Sequence, residues 1–170
     1  ALALHEIGHV LGVGTLWPDS DTLLVNPSLP SSLSADTHFR GAAAIAAFNA
    51  AGGTAYTGGE KVPVENLLEE GSADSHWRES VLENELMTPL LQSGIANPLS
   101  AITIESLADL GYSVDSSGAD AFTGTFSAPA QLTPDRSKSR RTISLQNDTY
   151  RGPVDVVDRS GRVTRTIVRR

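Results

Sequence analysis

The 170-residue chain has no cysteine. That excludes disulfides, thiol chemistry and cysteine metal ligands, so any bound metal must rely on His, Asp or Glu. Aromatic residues make up only 5% of the chain and hydrophobic residues 39%, which predicts a core built mainly from alanine and leucine. No run approaches the ~18 apolar residues of a membrane span. Basic residues are scarce at first: residues 1–127 hold 3 against 16 acidic ones, a balance of −13, whereas residues 128–170 hold 10 against 4, a balance of +6. Such a split implies two parts with different jobs. The basic part suits an anionic surface, plain solvation or pairing with the acidic part; nucleic acid is not the expected partner. Methionine occurs once, at Met87, and the chain opens at Ala1 directly on a motif-bearing segment. This reads as a fragment or processed product of a longer protein, whose leader would lie upstream.

Residues 1–13 read as a helix, with Leu2, Leu4, Ile7, Val10 and Leu11 apolar and Gly12 and Gly14 as stop signals. Residues 14–38 are rich in Pro, Ser and Asp and read as a long loop, a kind of segment that is often functional. The run RGAAAIAAFNAAGG predicts a second helix ended by Gly52 and Gly53. Residues 54–75 read as irregular, 77–82 as a short helical turn, and 100–111 as a third helix between a Ser100 cap and a Gly111 stop. Residues 128–141 form a polar linker, after which TISLQ and VDVVDRSGRVTRTIV alternate apolar and polar residues, a strand and a β-hairpin around RSG.

The stretch HEIGHVLGVGTLW, residues 5–17, contains H-E-x-x-H. Residues four apart share one helix face, so His5 and His9 can aim their imidazoles at one ion. Glu6, beside them, is placed to act as general base on a water acidified by the metal. Composition alone yields this pattern about once in 200 such sequences, so the motif is a moderate signal. The competing reading is an ordinary helix with polar residues on its exposed face. A catalytic zinc also needs a third protein ligand and one open position. Two kinds of third ligand are available: a carboxylate from Glu65, Glu69 or Glu70, or an imidazole from His38 or His76.

HEIGHVLGVG, VPVEN, SHWRE, NELMTP and NPLSAITIESLADLGYSV, taken in order over about residues 1–122, resemble the leishmanolysin family of zinc endopeptidases in the metzincin clan. The resemblance implies an α+β parent protein, of which this part is mainly helical with long irregular loops and a C-terminal β-hairpin. It implies that residues 1–127 are the zinc helix, an insertion and the lower subdomain, followed by the linker 128–141 and a basic tail 142–170. In the clan's compact motif, H-E-x-x-H-x-x-G-x-x-H, a glycine turns the chain to deliver the third histidine. Here Gly12 stands at that glycine, Thr15 replaces the compact third ligand, and His76 matches a histidine displaced by the insertion 13–75. The implied metal is Zn²⁺, held by His5, His9 and His76, with Glu6 as the catalytic residue. Met87 matches the methionine turn that forms an apolar floor under the histidines.

Other residues near these motifs have plainer expectations. Pro89 stands where some metzincins carry a tyrosine that assists the reaction, so that help is absent. Glu85 and Asn84 are either partners of a ligating histidine or residues that cap or solvate the turn. Trp17 and Trp77 are expected to pack, and Asp109 to sit on a solvated face or bond to nearby backbone. The expected function is a secreted or cell-surface endopeptidase acting on peptides or proteins. A second reading is a non-catalytic zinc-binding or adhesion remnant, because metzincins hold substrate on a sheet upstream of the zinc helix and nothing precedes Ala1 here. A third is a peptidase with a His₂Glu metal set.

Overall fold

The computed structural model describes residues 1–19, 22–28, 36–67, 71–92, 94–124, 126, 142–145 and 153–167. The chain mixes helices with small antiparallel sheets, an α+β arrangement in the general sense.

Helix α1 (Leu2–Leu11) ends at Gly12, whose φ of 117° lets its N–H turn back to the Gly8 and His9 carbonyls. Glycine takes this left-handed conformation without a Cβ penalty. The helix is inside out by ordinary amphipathic standards. Its polar residues His5 and His9 are buried, while Leu2, Leu4, Ile7 and Val10 are exposed, Val10 at 84%. The reading of H-E-x-x-H as polar residues on an exposed face therefore fails for the two histidines.

Residues 14–38 and 54–75 are less irregular than their composition suggests. β1 (Leu24–Val25) pairs with β2 (His38–Phe39), and β2 with β3 (Val62–Pro63), in an antiparallel sheet ordered β1-β2-β3. Two-residue strands carry no readable alternation, which is why composition alone suggested a loop. α2 (Ala42–Phe48) runs into a wide turn over 49–53, where Gly52 at φ 110° breaks the helix before the short α3 (Thr54–Thr57). α4 (Glu79–Leu82) follows, then β4 (Leu90–Gln92) and α5 (Ala101–Asp109). Ser100 caps α5, its side chain accepting from the Thr103 N–H, as its sequence position implied.

Helices α2 and α5 are joined by a cap that spans the sequence. α2 begins at Gly41, which has no side chain to cap it. Asp109, at the end of α5, reaches across and accepts from the Ala43 and Ala44 N–H groups, each at 3.0 Å. A Cβ on Gly41 would lie 2.1 Å from the Asp109 carboxylate, so glycine leaves that carboxylate room at the start of α2. Asp109 thus caps a helix some 65 residues away in sequence instead of sitting on a solvated face.

The core corrects the expectation of an alanine- and leucine-rich interior. The few aromatics are concentrated there: Trp17, Trp77, Phe39 and Phe48 are all fully buried. The Trp17 and Trp77 rings are 4.5 Å apart, with Phe39 5.1 Å from Trp17 and edge-on to Trp77 at 5.6 Å. Phe48 meets Phe126 at 4.9 Å. Val13, Val62, Val64, Leu82, Leu86, Met87 and Ile102 are packed among the apolar residues around them, while Ala44 and Ala73 are the alanines buried among the described residues. Large rings bury far more area per residue than alanine, so a composition percentage is a poor guide to who makes the core.

In the C-terminal part, β5 (Thr142–Ser144) pairs antiparallel with β4, setting Ile143 opposite Leu91. β6 (Val154–Val157) and β7 (Val163–Ile167) form the hairpin read around Arg159–Gly161, with an irregular step between Val156 and Val157. The Asp158 carboxylate organises that turn by accepting from the Ser160 and Arg162 N–H groups. The linker 128–141 lies outside the described residues.

Candidate metal centre

Two of the converging histidines come from α1, one turn apart. The third arrives at the end of a run of turns, residues 71–76, that is pinned from several sides. The Glu65 N–H donates to the His76 carbonyl at 2.9 Å, the Asp74 N–H to the Glu65 carbonyl at 2.9 Å, and the Trp77 N–H to the Met87 carbonyl at 3.0 Å. Asp74 in turn accepts from the Ser28 N–H and hydroxyl at 2.8 and 2.7 Å, tying the long insertion to the approach of His76.

Glycine and threonine in the helix exit make room for this arrival. Gly14 has φ 71°, and a Cβ there would stand 1.8 Å from the Ser75 carbonyl oxygen. The backbone just before His76 therefore packs directly on Gly14. Thr15, which occupies the compact ligand position, donates its hydroxyl to the His9 carbonyl at 2.7 Å. It adds a second donor to a helix-end carbonyl that also accepts the Gly12 N–H at 3.1 Å. The sequence spends this position on ending the helix and leaves the third imidazole to come from elsewhere.

The three rings meet in a small triangle. Nε2 of His9 is 3.0 Å from Nε2 of His5 and 3.2 Å from Nε2 of His76, and the third side is 3.3 Å. All three residues are buried. On the far side of each ring, Nδ1 meets an acceptor. His5 donates to the Leu86 carbonyl at 2.7 Å and His9 to the Val13 carbonyl at 2.8 Å. His76 donates to the Ser72 carbonyl at 3.2 Å and shares that proton with the Ser75 hydroxyl at 3.1 Å.

A carbonyl oxygen can only accept, so these contacts assign the proton to Nδ1. Nε2 then presents a lone pair in each neutral ring, and the short Nε2 contacts are not hydrogen bonds. Three lone pairs aimed at one point repel unless a cation sits between them. Three imidazole nitrogens bound tetrahedrally at about 2.0–2.1 Å from one ion lie about 3.3 Å apart. The observed triangle of 3.0–3.3 Å fits that requirement. Nδ1–H held by a carbonyl is also the usual support of a metal-ligating histidine. His5, His9 and His76 thus lie close enough to bind one metal ion.

Met87 is fully buried, with its side chain against α1 at Gly8. A Cβ on Gly8, between the two helix histidines, would lie 2.7 Å from the Met87 sulfur. Gly8 therefore lets the Met87 side chain come up against the helix backbone.

The other candidate ligands stand elsewhere. His38 lies in β2 and donates from Nδ1 to the Asp36 carbonyl at 2.7 Å. Glu65 is buried, but its carboxylate is taken up by backbone donors: Asn66 at 2.9 Å, Leu67 at 2.8 Å and Glu79 at 3.0 Å. That is a structural role and argues against a His₂Glu set using Glu65. Glu69 and Glu70 lie outside the described residues. Glu6 follows His5 on α1 and is half-buried.

Glu85 is fully buried, so it does not solvate the turn. It caps it, accepting the Met87 N–H at 2.6 Å, and it also accepts the Ser100 and Thr103 hydroxyls at 2.6 Å each. Burial pushes its carboxyl above the usual range, and these hydrogen bonds oppose the shift. Asn84 is half-buried, and its backbone carbonyl accepts from the Asn97 side chain at 3.4 Å. The carbonyls of Leu86, Val13 and Ser72, which orient the three rings, have no signal in sequence, since every residue type supplies one.

No known protein family, curated protein or solved structure matches this chain.

Proposed function

We propose that this chain is the catalytic part of a secreted or cell-surface zinc endopeptidase of the leishmanolysin-like, metzincin type. The observation that carries the reading is the arrival of His76 at the H-E-x-x-H pair, with all three Nε2 atoms within 3.3 Å of one another. A bare H-E-x-x-H can arise by chance on any helix. A third buried imidazole meeting it from 67 residues away, with every Nδ1 proton already placed, is a much stronger coincidence. Met87 beneath Gly8 adds the floor that the motif order implied.

Imidazoles with no thiolate suit Zn²⁺, and the three ligands brought together among the described residues match the pattern of a catalytic site, which keeps one position open. When bound, the ion would acidify a water molecule and polarise the carbonyl of the scissile peptide. The residues of the chain do the rest. His5, His9 and His76 would hold the ion, and their carbonyl partners keep the rings from turning. Glu6, next to His5, takes the proton from the attacking water and returns it to the departing amine. Hydrolysis then proceeds without an acyl-enzyme, because no side chain attacks the substrate. Pro89 leaves the position of an assisting tyrosine without a hydroxyl.

The test is Glu6→Gln in the full-length protein. We expect cleavage of an unfolded protein substrate to fall by about 10²-fold or more, the usual scale of general-base catalysis, while zinc remains bound at wild-type stoichiometry. Unchanged cleavage would remove Glu6 from the mechanism. A wild-type protein that binds zinc but cleaves nothing would favour the non-catalytic binding reading.

A further inference from the structure

One buried carboxylate, that of Glu85, joins the turn carrying Met87 to the start of α5. Glu85 has four donors around it: the Met87 N–H at 2.6 Å on one oxygen, and on the other the Ser100 hydroxyl at 2.6 Å, the Ser100 N–H at 3.2 Å and the Thr103 hydroxyl at 2.6 Å. The direction of the last bond is fixed. The Trp77 indole N–H donates to the Thr103 oxygen at 2.8 Å, so the Thr103 proton is the one turned towards Glu85. The carboxylate thus fastens the start of α5 to the turn that carries Met87.

Two of the three histidines depend on what is fastened there. Leu86 lies between Glu85 and Met87, and its carbonyl is the acceptor that orients the His5 ring at 2.7 Å. Trp77 directly follows His76, its backbone N–H held by the Met87 carbonyl at 3.0 Å and its indole by the Thr103 hydroxyl. Moving the Glu85 side chain would therefore loosen His5 through Leu86, His76 through Trp77, and the Met87 floor between them.

We infer that Glu85 is a positioning residue for the metal centre, setting the His5 and His76 rings from behind through Leu86, Met87 and the Thr103–Trp77 relay. The inference rests on the metal-binding reading of the three histidines. It also explains why this site takes an acidic residue: all four partners are donors, so the position asks for acceptors on both oxygens. Glutamine cannot meet that demand in either orientation. Its NH₂ group would face the Met87 N–H one way round and three donors the other way.

The experiment measures zinc affinity by chelator competition and the visible spectrum of the Co²⁺-loaded full chain, for wild type, Glu85→Gln and Asp109→Ala. Folding of each metal-free variant is followed by near-ultraviolet circular dichroism. Partners of metal-ligating histidines typically account for about 10–100-fold in metal affinity. We expect Glu85→Gln to lose at least about 10-fold and to shift the Co²⁺ bands. Asp109→Ala also removes a long-range cap, a half-buried one between α2 and α5, and is expected to leave affinity within about 2-fold and the bands unchanged. Equal affinity and identical Co²⁺ spectra for Glu85→Gln and wild type would overturn the inference. So would an equal loss in Asp109→Ala, which would reduce the effect to general destabilisation. Should Glu85→Gln not fold, Thr103→Val decides. It cuts the relay to Trp77 while leaving Glu85 its other donors, and unchanged zinc affinity in that variant would overturn the proposal. If wild type itself binds no zinc, it is the underlying metal reading that fails.

Discussion

Replacing His76 with alanine is expected to lower zinc affinity by on the order of 10²–10⁴-fold, beyond the 10–100-fold typical of residues that merely support a ligand. The expectation follows from the triangle of Nε2 atoms. With His76 gone, the pair on α1 is what remains of the cluster among the described residues, and the other described candidates are committed elsewhere. The Glu65 carboxylate is committed to the N–H groups of Asn66, Leu67 and Glu79. His38 belongs to β2 and donates to Asp36. Chelator competition with zinc should therefore separate His76→Ala sharply from His38→Ala, which should bind like wild type. Retention of stoichiometric, tight zinc by His76→Ala would mean that a different residue completes the site, and would revive a His₂Glu arrangement.

The second large effect is expected at Gly14. An alanine there would set its Cβ 1.8 Å from the Ser75 carbonyl oxygen, which belongs to the backbone and cannot swing aside. It would also hold an L-residue at φ 71°. Left-handed placement costs about 1–2 kcal/mol and overpacking typically about 1–3 kcal/mol, so a loss of about 2–5 kcal/mol is expected in denaturant unfolding of the metal-free protein. Because the residue displaced adjoins His76, zinc affinity should fall as well. Gly111 supplies the comparison. It too has positive φ, at 99°, but a Cβ there meets nothing within 4 Å. Gly111→Ala should show the backbone cost of about 1–2 kcal/mol alone and leave zinc binding intact. Equal costs at the two glycines, with metal affinity untouched, would show that the close approach at Gly14 does not matter for delivering the third ligand.

What could be read in the sequence was local or tied to a fixed spacing. His5 and His9 follow from helical geometry, Gly12 from its position after the last helical residue, and the Ser100 cap from its place before an apolar-periodic run. The hairpin around Arg159–Gly161 followed from period-two alternation. The identity of His76 as the partner of His5 and His9 came from the order of several motifs rather than from any spacing rule, since 67 residues separate it from His9. Contacts between distant segments left no trace. The reach of Asp109 to α2, the grip of Ser28 on Asp74 and the Glu85 hub depend on which segments fold together, and no periodicity records that. The strands β1 to β3 are two residues each, too short for alternation to appear. Composition misjudged the core for a related reason, since it counted aromatics without knowing that both tryptophans and Phe39 would meet in one place.

The central claim is that His5, His9 and His76 share a single ion. X-ray absorption at the zinc edge of the protein loaded with one equivalent tests it most directly. Three imidazoles at about 2.0–2.1 Å, with the remaining position filled by a light atom, is the expected result. A spectrum fitted by two imidazoles or fewer would contradict it.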